Sequence, residues 1–292
     1  MRTSTIRCFS AAALLVGLLA PFTSAAPVAP TILTPGGYRV STNVQQVPEG
    51  GRIAHVGNDI HLIAANGTVV HVASNVKPAA TKVKAAASPE ETGWVTYAYW
   101  LNTGSSPISS FTTTWTVPAV PATWHGQTLF LFNSIEPSTG DAIMQPVLQY
   151  GPSAAGGGEY WAVATWYLYG SNVFFTNPIQ VSVGQTLNGI VSLVGQSGST
   201  YNYDSQFTNI GGTALTVDGG EQLTWATETL EAYSVTAASD YPTGSTVFSG
   251  INLALTSGTP SVSWSHVDDT ADGLSTSIGV NGATNAQITI HY

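Results

Sequence analysis

The chain has 292 residues, 43% of them hydrophobic and only 8% charged, and 16 Asp and Glu against 7 Lys and Arg give a formal net charge of −9. Every basic residue lies at or before Lys84, so the 208 residues that follow hold 14 carboxylates and no Lys or Arg, which excludes nucleic-acid or anionic-membrane binding through a basic patch. Abundant apolar and aromatic residues argue against disorder, and the length fits one large β domain or two smaller units.

Residues 1–25 predict a secretory signal. Arg2 and Arg7 form a basic start, Ala11 to Ala20 is an apolar run of ten, and Thr23-Ser24-Ala25 supplies small residues for cleavage. Ten residues are too few to span a bilayer, so the expectation is a secreted, extracellular protein with no membrane association once the signal is removed. Cys8, the only cysteine, falls inside this segment, and the mature chain is expected to have neither a disulfide nor a thiol nucleophile.

Residues 26–88 form a basic segment, with Arg39, Arg52, Lys77, Lys82 and Lys84 against Glu49 and Asp59. Arg52 to Val56, Asp59 to Ala64 and Thr68 to Ala73 read as strands, and Asn66-Gly67 between the last two is a hairpin turn. Asn66-Gly67-Thr68 is also the chain's one glycosylation sequon, for which a plain turn is an equal explanation. Lys77 to Ser88 lacks large apolar residues and reads as a linker.

Residues 89–292 form the acidic domain. Short stretches rich in Thr, Val, Tyr and Trp alternate with Gly, Pro, Asn and Ser, predicting strands over Trp94–Leu101, Ser110–Val117, Thr128–Asn133, Ala142–Tyr150, Tyr160–Tyr169, Gln185–Val194, Gln222–Val235, Val247–Leu255, Ser261–His266 and Gln287–Tyr292. So many short strands predict an all-β, two-sheet sandwich or jelly roll, whose concave face is the default ligand cleft. The chain is expected to be a monomer.

Without Lys, Arg or Cys this domain has no Schiff base, arginine clamp or thiolate. His125, His266 and His291 are scattered, no metal-ligand spacing or G-x-S-x-G elbow appears, and no metal or cofactor is expected. Asp268, Asp269 and Asp272 read as a solvated turn rather than a calcium loop, since EF-hand spacing is missing. Carboxylate and amide chemistry remain, and they suffice for hydrolysis: a carboxylate takes a proton from water while an amide N–H stabilises the oxyanion. Gln145 and Gln149, four apart on an apolar strand, share one face roughly 13 Å apart. They line either a polar cleft or the solvent.

The ordered series WVTY at Trp94, FTTTWTVP at Phe111, AIMQ at Ala142, ATWY at Ala164, VSVGQT at Val181 and TWATE at Thr224 resembles the fungal glutamic peptidases, or eqolisins, over residues 93–255. The resemblance implies a concanavalin-like β-sandwich, an acid optimum, a polypeptide substrate and an N-terminal pro-segment, with Gln145 matching the oxyanion-stabilising glutamine. It departs where the family carries its acids: Thr224 stands at the catalytic glutamate and Thr165 at a second acid. A threonine hydroxyl cannot serve as a general base. Glu228 is the candidate base on the same strand, conditional on a bulge or register shift because four residues from Thr224 span roughly 13 Å. Gln149, Glu136, Glu159, Trp161, Trp166 and Trp225 are candidate substrate-binding residues, and Glu136 matches an aspartate of the family.

Two other readings stay open. Trp94, Tyr97, Tyr99, Trp100, Tyr160, Trp161, Trp166, Tyr167 and Tyr169 can form an extracellular glycan-binding face or, equally, a packed core. Glu159 and Glu228 can form the acid and base of a polysaccharide-active enzyme. In all three cases like-charge crowding predicts that the acidic domain tolerates acid better than alkali, and that the basic segment docks on it near neutrality.

Overall fold

The computed structural model describes residues 29–74, 93–268 and 273–292, so the expected signal and the linker lie outside the described residues. The described chain is all β apart from two single 3₁₀ turns, Ser41–Asn43 and Ala238–Asp240. No helix among the described residues is long and apolar enough to cross a membrane.

Six strands come from the N-terminal segment: β1 (Thr31–Thr34), β2 (Gly37–Val40), β3 (Val44–Gln46), β4 (Arg52–Val56), β5 (Asp59–Ile63) and β6 (Val69–Ser74). Fifteen follow: β7 (Trp94–Leu101), β8 (Ile108–Thr116), β9 (Thr128–Glu136), β10 (Ala142–Tyr150), β11 (Trp161–Tyr169), β12 (Asn172–Phe175), β13 (Ile179–Gln180), β14 (Thr186–Ser197), β15 (Thr200–Phe207), β16 (Leu215–Gly220), β17 (Trp225–Tyr233), β18 (Ser245–Leu255), β19 (Ser265–Asp268), β20 (Ser275–Val280) and β21 (Ala286–His291). Among the described residues they build a nine-stranded sheet, β19-β7-β17-β9-β10-β11-β12-β3 with β13 beside β11, a ten-stranded sheet, β20-β21-β18-β8-β14-β15-β16-β4-β5-β6, and a separate two-stranded sheet, β1-β2. The two large sheets pack as a sandwich, as expected.

Strands β3 to β6 extend the two large sheets. β3 pairs in parallel with β12, and β4 pairs in parallel with β16, which carries the β4-β5-β6 meander onto the edge of the larger sheet. Arg52 meets Asp218 at 3.1 Å across that seam, and His55 Nε2 lies 2.8 Å from the Tyr167 hydroxyl. Asn66 sits in the exposed turn between β5 and β6, its Oδ1 accepting the Thr68 N–H at 3.0 Å.

Amphipathic alternation sets which side chains meet between the sheets. β8 turns Ile108, Phe111, Thr113 and Trp115 inward, β14 adds Leu187 and Val191, and β18 adds Phe248, Ile251 and Leu253. From the facing sheet come Leu129, Leu131 and Ile135 of β9, Met144 and Leu148 of β10, and Val163 and Tyr167 of β11. Burying each such side chain contributes about 1.5–3 kcal/mol. β9, β10 and β11 are buried on both faces, which accounts for their near-continuous apolar sequences. The second face carries its own cluster, including Phe130, Phe132, Ile143, Val147, Trp166 and Leu168.

β7 and β10 match their sequence-predicted bounds. Strands β1, β2, β3, β12, β13, β15, β16 and β20 were not expected: β12, β15, β16 and β20 carry Asn, Asp, Ser or Gly residues that read as turns, the others are only two to four residues long, and tertiary pairing overrides these weak local signals. The strand expected at Ser261–His266 begins only at Ser265, since Trp264 is tied to the Asn281 side chain instead of a ladder.

Candidate active site

Gln145 lies at the centre of β10, immediately before Pro146. The β9–β10 ladder pairs Met144 with Ile135 and Val147 with Phe132 and skips the two residues between, as a proline without an N–H requires. The same register sets Gln145 level with Ser134, and β9 is level with β17 through Ser134↔Thr227 and Glu136↔Trp225. One row on the face away from the ten-stranded sheet therefore reads Trp166, Gln145, Ser134, Thr227, Tyr99 across β11, β10, β9, β17 and β7. Glu136 is the diagonal neighbour of Gln145 on this face, a separation of roughly 7 Å that two long side chains can close.

Gln145 and Glu136 are each 1% exposed. Gln145 Oε1 has no hydrogen-bond partner among the described residues. A chain of hydroxyls continues the row: Ser134 Oγ and Thr227 Oγ1 are 2.7 Å apart, and Thr229 Oγ1 donates to Thr227 Oγ1 at 3.0 Å. Beside it, Trp94 stacks on Trp225 with ring centroids 5.7 Å apart, and Tyr97 meets both edge-on. Burial, and then the neighbouring Tyr99 and Glu136, raise the Tyr97 phenol above its ordinary range, so it stays a neutral hydroxyl beside the carboxyl. Ser134 and Thr227 were missed in the sequence; period-two spacing from Glu136 and Trp225 was their only signal.

Glu228, the expected base, is not on this face. β17 alternates, so Trp225, Thr227, Thr229 and Glu231 point one way while Ala226, Glu228 and Leu230 enter the core between the sheets. There Glu228 Oε1 accepts a short hydrogen bond from Thr113 Oγ1 of the opposite sheet, while Oε2 has no partner among the described residues. Burial raises its pKa well above the ordinary carboxylate value despite the Thr113 bond, and its place between the sheets keeps it from partnering Gln145. Thr224 precedes β17, its N–H donating to Glu136 O and its carbonyl accepting from Asn102.

The remaining candidates separate. Trp225 and Trp166 share the Gln145 face, the latter stacked on Phe175 at 4.8 Å. Trp161 instead packs in the intersheet core against Tyr150 at 5.2 Å, because it has the opposite parity on β11. Glu159 is exposed on the loop after β10, so it forms no pair with the core-buried Glu228. The proposed aromatic glycan platform is likewise divided: Trp161, Tyr167 and Tyr169 pack between the sheets, Trp166 faces the other way, and only Tyr160 among them is exposed.

Gln149 shares the Gln145 face, but its amide is committed to the glycine loop. Nε2 donates to Gly151 O at 2.7 Å and Gly156 O at 2.8 Å, and Oε1 accepts from Ser153 Oγ at 2.7 Å. The loop closes tightly there, since a Cβ on Gly151 would come within 2.0 Å of the Gln127 carbonyl. Gln149→Leu is expected to cost about 1–3 kcal/mol by orphaning these partners; a denaturant midpoint equal to wild type would show that the amide holds nothing.

Elsewhere, Asp240 accepts from Thr123 Oγ1, His125 Nδ1 and the Thr236 N–H at 2.6, 2.7 and 2.8 Å. Burial would raise its pKa, but these donors hold it well below the ordinary value. It staples the loop after β17 to the one before β9. Asp268 is similarly occupied, accepting from Thr276 N at 2.7 Å and Thr96 Oγ1 at 3.0 Å. No group of three metal-ligating side chains occurs among the described residues.

No family model matches the sequence, and no curated protein matches it. Among solved structures the chain is similar to Scytalido-glutamic peptidase with a peptide-based transition-state analogue, at 13% identity and a TM-score of 0.44 over 68% of this chain and 98% of that one. SCP-B, a member of the eqolisin family in complex with the tripeptide Ala-Ile-His, gives 12% and 0.42 over 68% and 98%. The CBM2 module of Lactobacillus casei BL23 phage J-1 evolved Dit gives 11% and 0.28 over 66% and 76%. These identities and scores are too low to carry an activity to this chain.

Proposed function

We infer that the protein is a secreted acid endopeptidase in which Glu136, rather than a residue of β17, works with Gln145. The observation that carries this reading is their placement: a buried carboxyl and a buried amide on adjacent strands, one diagonal step apart on one face. The Glu136 carboxylate takes a proton from water as the water oxygen attacks the peptide carbonyl carbon, and the Gln145 amide N–H stabilises the resulting oxyanion. Collapse breaks the C–N bond, and the proton held by Glu136 passes to the leaving amine. Residues 1–25 are the secretory signal on this reading, and residues 26–88 are a pro-segment whose strands complete both sheets until it is removed.

The test is digestion of a denatured protein in acid, about pH 4 where ordinary carboxylates begin to protonate. Gln145→Ala is expected to reduce kcat by about 10²–10³-fold, the usual loss on deleting one oxyanion donor. Equal cleavage by wild type and variant, or cleavage by neither after removal of residues 26–88, rejects the mechanism.

A further inference from the structure

The turn joining β1 and β2 is buried against the same face that carries Gln145. Leu33, Thr34, Pro35, Gly36 and Gly37 are all buried, although Tyr38, the next residue, is 58% exposed. The Gly36 N–H donates to Glu231 Oε1 at 2.6 Å, and the Tyr233 hydroxyl donates to the same oxygen at 2.5 Å. The Ala154 N–H of the glycine loop donates to the Leu33 carbonyl at 2.7 Å. Glu231 shares the parity of Trp225, Thr227 and Thr229 on β17, so this contact lies on the candidate active-site face, one row beyond Phe132.

Both bonds read main-chain groups, one N–H and one C=O, and neither reads a side chain. They demand a particular backbone shape: Gly36 and Gly37 have φ of 83° and 103°, values that favour glycine. The turn is braced from its own side, with Thr34 Oγ1 donating to Gly37 O at 2.8 Å and the Arg39 guanidinium donating to Gly36 O at 2.8 Å. A buried carboxyl oxygen left without its donor costs the desolvation of that group, so the Gly36 N–H holds the turn to Glu231. A carboxyl is an unusual thing to bury for the sake of a two-stranded hairpin.

We propose that Glu231 and the Ala154 N–H form a polypeptide-backbone subsite of the cleft, filled in cis by the chain's own Pro35–Gly36 turn. Its ligand class is a glycine-containing polypeptide segment, and its occupation by the N-terminal hairpin keeps other chains out. The role in substrate binding rests on the peptidase reading; the binding itself does not.

The experiment uses the full chain carrying Gly36→Pro, which has no N–H to donate and cannot adopt the observed φ, so the turn leaves Glu231. The probe is a fluorescently labelled peptide with the sequence of residues 31–40. It is expected to bind Gly36→Pro at least about tenfold more tightly than wild type, where the site is already filled. N-methylation of the peptide at the glycine corresponding to Gly36, or Glu231→Gln added to Gly36→Pro, is expected to weaken binding by about tenfold, the worth of one buried hydrogen bond. Equal affinity for wild type and Gly36→Pro, or indifference to N-methylation, overturns the proposal, and the methylated peptide decides even if the Glu231 variant does not fold. Methyl-sensitive binding without hydrolysis of denatured protein supports the subsite and rejects the peptidase. Hydrolysis with methyl-insensitive binding does the reverse.

Discussion

Glu136→Gln is expected to lower kcat for acid proteolysis by about 10²–10⁴-fold, the range lost when a positioned general base is removed. The replacement keeps the volume and hydrogen-bonding length of a side chain that is 1% exposed, so the sheet is expected to survive and the loss to be chemical. Glutamine cannot take a proton from water, whereas it can still fill the space between Trp225 and Gln145. Glu228→Gln is the control. Its side chain lies on the opposite face of β17, bonded to Thr113, so cleavage at a fixed acid pH is expected to stay within about twofold of wild type. Parallel assays of the two purified variants decide the matter: loss with Glu228→Gln and none with Glu136→Gln would assign the base to the core residue and reject the arrangement proposed above.

Glu228→Gln is expected to have its large effect on the pH dependence of stability instead. Burial raises the folded pKa of Glu228 well above the ordinary glutamate value. The neutral carboxyl is the form that the core accepts, so its contribution is fully present below the unfolded pKa and is lost as pH rises through the folded one. Between those limits wild-type stability should fall by about 1.4 kcal/mol per pH unit from this one group. Glutamine has no proton to release, and its curve should be flatter over that window. Urea unfolding at steps from about pH 4 to about pH 8 reads the difference in slope directly. Wild-type and variant curves that stay parallel would mean that Glu228 carries no linked proton. The sign agrees with that expected from crowding 14 carboxylates after Lys84, but the two causes are separable because a single substitution leaves the surface charge untouched.

What the sequence alone made legible follows from local physics. Apolar and aromatic runs bounded by turn residues located β7 and β10 at their observed bounds, and the Asn66-Gly67 turn lies between β5 and β6 as its dipeptide demanded. Gln145 stood out because an amide interrupts an apolar strand. Strands β12, β15 and β16 did not stand out, because Asn172, Asn202, Asp204 and Asp218 read as turn residues, and only pairing with neighbouring strands makes them part of a sheet.

The pairing of chemical groups was a different problem. Alternation tells which residues of one strand share a face, but not which face of the next strand lies beside it; a shift of one residue reverses the answer. Glu228 and Gln145 looked equally available from their strands, and only the registers Met144↔Ile135 and Glu228↔Asn133 put them on opposite sides of the sheet and brought Glu136 beside the glutamine. The hairpin turn on Glu231 was still less accessible, since it joins residues 195 positions apart through a backbone N–H that every non-proline residue possesses. Composition and spacing thus determined an acidic all-β chain with no Lys, Arg or Cys after Lys84. Which carboxyl shares a face with Gln145, and which turn lies on Glu231, were decided by long-range strand register and tertiary contact, which no local pattern encodes.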